Sequence, residues 1–142
     1  MSRHTARIHA FHLIFQFPFY SDWALCRIDD YLKSVQDLEE HLQVVVDDND
    51  TSFIINEVTG TFAKLQVLDA IITKYLKNWE IERIAKVDLA LLRLALYEIH
   101  HVTDISTATS INEVVEIAKI YGTDESSAFI NGLLGQVVRE NA

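Results

Sequence analysis

A chain of 142 residues with 49% hydrophobic content is long enough to bury one core, so we predict a single domain over residues 1–142. Its apolar runs are too short and too interrupted to cross a bilayer, which excludes a membrane protein. The formal net charge of −9 argues at first against nucleic acid as a partner, and the single cysteine excludes an internal disulfide. We therefore expect a globular protein of a reducing, cytoplasmic compartment.

The N-terminal segment is predicted to form a helix with an unusual charge. It runs from Arg3 to about Gln16 with apolar residues at helical spacing, and Pro18 should stop it at Phe17. Residues 1–21 contain two arginines, three histidines and no acidic residue, whereas the rest of the chain is acidic. This positive segment is either an anion-binding arm or an ordinary solvated terminus.

Two amphipathic segments follow. Residues 22–45 and 53–77 both carry apolar side chains at helical spacing, and each is predicted to form one helix. Between them, DDNDTS at 47–52 indicates a linker and a helix cap. A glycine inside a helix costs about 1 kcal/mol relative to alanine. We therefore expect Gly60 to permit a close contact with another helix.

The most apolar segment follows the polar stretch NWEIER, which predicts a turn at 78–83. Residues 84–101 contain LALLRLALYEI and predict a central helix that is buried on most sides. Only Asp88 and Arg93 interrupt its apolar centre. We expect the Arg93 guanidinium to pair with a carboxylate or with carbonyls at a helix end.

The last two predicted helices meet at a polar corner. Ser110 and Glu113 have the spacing of a capping box, and Gly122 fits a left-handed residue that ends a helix. Asp124 or Ser126 would cap the final helix. The apolar stripe of that helix consists of Phe129 or Ile130, Leu133, Leu134, Val137 and Val138. Glycine and proline are scarce and no segment favours a strand, so we predict an all-α fold, a compact bundle of six to seven helices.

No sequence pattern indicates catalysis. The chain lacks a phosphate-binding loop, a dinucleotide-binding motif and a nucleophile elbow, and we predict no enzyme, no cofactor and no metal. His9 and His12 share a helix face, but no third metal ligand is evident. Three hypotheses stay open at this point: an RNA-binding or adaptor module, a self-associating helical module, and an enzyme with a dispersed site.

Three stretches resemble the NusB family of transcription antitermination factors. They are SRHTARIHAF at 2–11, LALLRLALYEI at 89–99, and INEVVEIAKIYGTDESSAFINGLL at 111–134. The resemblance implies an all-helical fold of two packed subdomains without catalysis. Members of the family bind the boxA element of nascent ribosomal RNA together with NusE, a ribosomal protein of the small subunit. This pair helps RNA polymerase to read through terminators.

The resemblance also implies functional residues. RNA-binding positions fall on Arg3, His4 and Arg7 in the N-terminal motif, and on Glu125 and Phe129 at the polar corner. His4 stands where the family usually has an arginine. The ring of Phe129, just beyond this corner, could stack on an unpaired base, and such stacking contributes about 1–3 kcal/mol per base. The alternative for Phe129 is a core residue of the bundle.

Contacts with NusE fall by resemblance on two acidic positions, Glu82 and Asp88. The alternative for Asp88 is a solvated residue on the open face of the central helix. The implied partners are single-stranded boxA-like RNA, NusE and the RNA polymerase antitermination complex, with no membrane and a possible homodimer. The alternative function is a protein–protein adaptor or a self-associating helical module without significant RNA binding.

Overall fold

The computed structural model describes residues 1–16, 25–77 and 80–141, with only the backbone of residues 25–26. Predictions that concern Phe17, Pro18 and residues 22–24 and 78–79 lie outside this part of the chain. The described residues form seven α-helices and no strand, which confirms the all-α prediction. The helices are α1 (Arg3–Phe15), α2 (Leu25–His41), α3 (Asp48–Ala63), α4 (Leu65–Tyr75), α5 (Lys86–His101), α6 (Thr107–Tyr121) and α7 (Ser126–Glu140), and a 3₁₀ turn at Ile81–Arg83 precedes α5.

The chain divides into two compact units, residues 1–59 and residues 60–142. The single domain over 1–142 stays a prediction. None of the helices in the described ranges combines the length and the apolar character that a membrane crossing requires.

In the first unit, α1 contacts both α2 and α3. The Nδ1 atom of His9 lies 3.0 Å from the hydroxyl of Tyr31 on α2, and the guanidinium of Arg3 lies over the ring of Phe53 on α3. The predicted apolar face of α1 is confirmed, because its members Ala6, Ala10, Leu13 and Ile14 are fully buried.

Helix α2 ends at His41 and not near Val45 as the sequence pattern predicts. The chain turns at Gln43, whose φ of 63° lies in the left-handed region. The N–H of Val44 donates to the Glu39 carbonyl at 2.7 Å, and the N–H of Gln43 donates to the Glu40 carbonyl at 3.0 Å. These two bonds close the helix in a Schellman motif. The apolar residues at and beyond this end are exposed, namely Leu38, Leu42, Val44 and Val45.

Replacing Gln43 by glycine is expected to raise the free energy of unfolding by about 0.5–1 kcal/mol. A side chain in the left-handed region costs about 1–2 kcal/mol, and the greater entropy of glycine in the unfolded chain cancels part of the gain. Chemical denaturation of both proteins measures the difference. Gln36→Gly, at an exposed position within α2, is the control and should be destabilising. A Gln43→Gly protein that is no more stable than the wild type would contradict the strain at this turn.

Helix α3 begins earlier than predicted, inside DDNDTS. The N–H of Asp50 donates to Oδ1 of Asp47 at 2.9 Å, and the N–H of Asp47 donates back to Oδ2 of Asp50 at 3.0 Å. This reciprocal pair is a capping box with aspartate at both positions. The predicted cap is confirmed, but most of the predicted linker belongs to the helix.

The single helix predicted over 53–77 is wrong, because the structure divides it at Lys64. The backbone of Lys64 leaves the helical region with φ −109° and ψ 13°, while its N–H donates to the carbonyls of Gly60 and Thr61 at 3.2 Å. No proline marks this break. The close contact predicted at Gly60 is confirmed, since a Cβ atom there would overlap the ring of Tyr97.

In the second unit, α5 packs against α4, α6 and α7. Four of its leucines are fully buried: Leu91, Leu92, Leu94 and Leu96. The prediction for Arg93 is confirmed, because its guanidinium donates two hydrogen bonds of 2.8 Å to the Asp69 carboxylate on α4. This bidentate pair joins α5 to α4.

The capping box predicted at Ser110 is wrong. Helix α6 begins one turn earlier, where the hydroxyl of Ser106 accepts a hydrogen bond of 3.1 Å from the N–H of Thr109. Ser110 is fully buried inside the helix and donates to Oε1 of Glu98 at 2.8 Å. Ser110 thus supplies a hydrogen bond to a buried carboxylate of the central helix.

Candidate nucleic-acid and partner interface

Gly122 ends α6 in extended conformation and not in the predicted left-handed one, with φ −95° and ψ −168°. The glycine is required for space. A Cβ atom at this position would lie 2.5 Å from Oγ of Ser126 and 2.8 Å from the carbonyl of Ala118. The absence of a side chain therefore lets the start of α7 approach the end of α6.

Ser126 holds the corner between α6 and α7 together through two hydrogen bonds with the backbone of Thr123. Its buried hydroxyl accepts a hydrogen bond of 2.9 Å from the N–H of Thr123, and its own N–H donates to the Thr123 carbonyl at 3.1 Å. The predicted cap at Asp124 or Ser126 is wrong, because the residue at the N-cap position is Glu125 and its side chain makes no capping hydrogen bond. Since the Glu125 side chain is exposed, it is available to a ligand.

Phe129 lies one turn into α7 at the edge of the core. Its side chain is half-buried, whereas the neighbouring Ile130 is fully buried and takes the core position. The other buried apolar residues of α7 are those of the predicted stripe except Val138, namely Leu133, Leu134 and Val137. The ring of Phe129 is therefore partly accessible.

The corner, the start of α5 and the residues just before it line a partly open cavity of about 410 Å³. Asp88 lies in the first turn of α5 and is only 8% exposed, so the alternative of a solvated residue on an open face is wrong. Its Oδ1 atom is buried without a hydrogen-bond donor among the described residues. A buried acceptor without a donor is unfavourable, and a ligand that brings a donor would remove this cost. The lining consists of Arg83, Ile84, Ala85, Asp88, Thr123, Glu125 and Phe129.

The cavity joins residues that the resemblance assigns to different partners. Asp88 was assigned to a protein partner, and Glu125 and Phe129 to RNA, yet all three line the same cavity. Its two carboxylates, one guanidinium and one aromatic ring suit a ligand with hydrogen-bond donors and a flat surface. Glu82 is exposed in the adjoining 3₁₀ turn.

The three N-terminal candidates lie on α1 in the first unit and differ in accessibility. Arg3 is exposed and its guanidinium lies 4.2 Å from the ring centroid of Phe53. Arg7 lies 5.3 Å from the same centroid but is only 1% exposed. His4 is half-buried.

Two further histidines of α1 contribute less charge than the sequence implies. Burial lowers the pKa of His9, although the nearby Glu39 carboxylate partly opposes this shift. Burial also lowers the pKa of His12, and the charge of His9 adds to the effect. Both side chains are therefore protonated less often near neutral pH than a free histidine. The accessible positive charge of α1 is concentrated at Arg3.

Sequence reasoning missed Phe53 and Arg83. Phe53 matters through the packing of α3 on α1, which no local pattern reveals. Arg83 stands in a predicted turn, where a charged side chain has no distinctive signal. The assignments of Arg3, His4, Arg7, Glu82, Asp88, Glu125 and Phe129 stay predictions.

Comparison with known proteins places these features in a family. The model of the NusB family matches residues 4–139. The transcription antitermination protein NusB of Acetivibrio thermocellus is 40% identical over 139 residues, which cover 98% of this chain and 90% of that protein. The protein of the same name from Natranaerobius thermophilus is 40% identical over 140 residues, which cover 99% and 96%.

Solved structures have the same fold. NusB of T. maritima superimposes with a TM-score of 0.83 at 31% identity, covering 99% of this chain and 92% of that one. A crystal structure of antitermination factors NusB and NusE in complex with dsRNA gives a TM-score of 0.79 at 20% identity, covering 99% of each chain, and this likeness concerns the fold alone. The resemblance inferred from sequence is confirmed, and the chain belongs to the NusB family.

Proposed function

We propose that this protein is a transcription antitermination factor that acts in the cytoplasm. It binds boxA-type RNA of nascent ribosomal RNA transcripts together with the ribosomal protein NusE, so that RNA polymerase reads through terminators. Support comes from relatives named for transcription antitermination and from a solved complex of the antitermination factors NusB and NusE with dsRNA. The observation that carries the proposal is the cavity that combines the Asp88 carboxylate with the Phe129 ring.

The RNA contacts combine stacking, base recognition and charge. Phe129 stacks on an unpaired base, which is worth about 1–3 kcal/mol. Glu125 accepts a hydrogen bond from a base amino group, because its carboxylate would repel phosphate. Arg3 and His4 contact the RNA backbone from the start of α1. Arg7 supports this helix from inside the first unit, since it is buried.

Asp88 and Glu82 bind the protein partner in different ways. The buried Asp88 carboxylate accepts a charge-assisted hydrogen bond from a lysine or arginine of the basic ribosomal protein. The exposed Glu82 attracts the same protein at longer range. Asp88 and Phe129 line one cavity, so the bound protein and the bound RNA would lie side by side. Favourable contact between the two should then make each increase the affinity for the other.

Replacing Phe129 by alanine is expected to weaken RNA binding about tenfold, in keeping with the loss of one stacked base. Because the ring is half-buried, the loss of stability should stay below the 3–5 kcal/mol or so typical of a core phenylalanine. RNA affinity and thermal unfolding are measured on the same protein. Phe62→Ala is the matched control, because this partly exposed ring lies outside the cavity. A large loss of stability with unchanged RNA affinity would make Phe129 a packing residue.

A self-associating module is the second candidate function, and one observation favours it. Leu38, Leu42, Val44 and Val45 are large aliphatic side chains, all exposed around the end of α2. Sedimentation of the wild type and of Leu42→Glu tests whether this surface joins two copies. A dimer that the substitution dissociates, in a protein that binds neither RNA nor NusE, would favour this function over antitermination.

A further inference from the structure

One aromatic ring of α3 faces two arginines of α1. The guanidinium carbon of Arg3 lies 4.2 Å from the centroid of Phe53, and that of Arg7 lies 5.3 Å from it. We propose that Phe53 is a positioning residue for RNA, which holds the guanidinium of Arg3 at the surface for contact with phosphate. This inference rests on the proposed RNA-binding function.

An aromatic ring can fix a cation without cancelling its charge. The face of the ring attracts the guanidinium through its quadrupole and has no net charge of its own. A carboxylate partner would instead neutralise Arg3 and compete with phosphate. In the described ranges 1–16, 25–77 and 80–141, Arg3 forms no ion pair. Its charge therefore stays available while its position is restrained.

The location of Arg3 also points to an anionic ligand. Arg3 is the first residue of α1, after the Ser2 cap, and no acidic residue stands in the first turn. A cation at a helix N-terminus is unfavourable for the helix itself, because the helix dipole is positive there. Helix stability therefore does not account for this arginine. The dipole and the guanidinium together favour an anion at this end of α1.

Arg7 keeps the ring and the helix together. It lies one turn after Arg3 on the same face of α1, and it is almost completely buried. Its guanidinium lies within cation–π distance of Phe53, so it anchors α1 to α3 beside the ring. Phe53 itself is half-buried, which leaves part of the ring for Arg3.

Restraint of Arg3 should increase affinity. A free arginine side chain loses rotamer freedom when it binds phosphate, and a side chain that is already held loses less. A cation–π pair at an exposed site corresponds to a change in affinity of about two- to fivefold. Phe53→Leu keeps an apolar side chain at this position and removes the ring, so it should weaken RNA binding by about this factor.

The test is a double-mutant cycle on the full chain, with a single-stranded boxA-type RNA oligonucleotide and with NusE present. The variants are Arg3→Ala, Phe53→Leu, the double variant and Phe53→Trp. We expect the double variant to bind no more weakly than Arg3→Ala, because the ring acts through the arginine. Phe53→Trp should keep wild-type affinity, since tryptophan also attracts cations. Independent effects that multiply, or unchanged affinity in Phe53→Leu, would overturn the role of Phe53.

The same measurements distinguish a failure of the proposed RNA-binding function from a failure of the role of Phe53. If the wild type binds no RNA, the proposed function fails, and the inference fails with it. If Arg3→Ala weakens binding and Phe53→Leu does not, only the inference fails. An NMR spectrum of the wild type without RNA gives an answer even if Phe53→Leu does not fold. The side-chain protons of Arg3 should be shifted upfield by the ring, and random-coil shifts would overturn the restraint.

Discussion

Replacing Asp88 by alanine is expected to stabilise the protein and to weaken its binding to NusE at the same time. The wild type buries a carboxylate atom that has no donor among the described residues, which costs about 1–3 kcal/mol. The variant loses the attraction between this charge and the N-terminus of α5, about 0.3–1 kcal/mol. The free energy of unfolding should therefore rise by about 1 kcal/mol.

The effect on the partner is larger and opposite in sign. Removal of one member of a buried charge pair at an interface costs about 2–5 kcal/mol of binding free energy. Calorimetric titration with NusE measures the affinity, and chemical denaturation measures the stability. Glu82→Ala is the matched control at an exposed acidic position, and it should change the affinity much less. Lower stability with unchanged NusE affinity would show that Asp88 is a structural residue of this fold.

Alanine substitution of the two arginines that lie one turn apart on α1 is expected to change stability by very different amounts. Arg7 is buried against Phe53, so Arg7→Ala should lower the free energy of unfolding by about 2–4 kcal/mol through lost packing. Arg3 is exposed, and Arg3→Ala should change stability by no more than about 0.5 kcal/mol. Each variant thus serves as the control for the other.

For RNA binding we expect the larger effect from Arg3→Ala and the smaller one from Arg7→Ala. For a single strand, each phosphate contact by a cation contributes about 0.7 to the slope of log affinity against log salt. Arg3→Ala should therefore reduce the slope by about 0.7, and the folded fraction of Arg7→Ala should keep the wild-type slope. If Arg7→Ala stayed fully stable and lost the same slope, Arg7 would contact phosphate directly, as the family resemblance implies.

The sequence predicts the helices well where burial follows the 3.6-residue period. Ala6, Ala10, Leu13 and Ile14 of α1 and the leucines of α5 are buried as expected. This period does not predict where a helix ends, because the backbone conformation of single residues determines the helix ends. Gln43 ends α2 in a left-handed conformation that favours glycine, and Lys64 divides a continuous apolar pattern without a proline. Neither residue type signals a helix end.

The candidate site depends on contacts between distant segments, and these are only partly visible in the sequence. The accessible ring of Phe129 agrees with the predicted corner, but Ser126 closes that corner in place of capping α7. Burial of Arg7 and Asp88 is unexpected, because charged side chains are usually solvated. Only the packing of the helices reveals that Arg7 lies beneath the surface and that Asp88 lines a cavity with Phe129.

The central claim is that this protein binds RNA and NusE together, and the most direct test is RNA affinity measured with and without NusE. The wild type should bind a boxA-type oligonucleotide more tightly when NusE is present. Asp88→Ala should lose this increase, and Phe129→Ala should weaken RNA binding in both conditions. An RNA affinity that is undetectable with NusE, or equal for the wild type and both variants, would contradict the account.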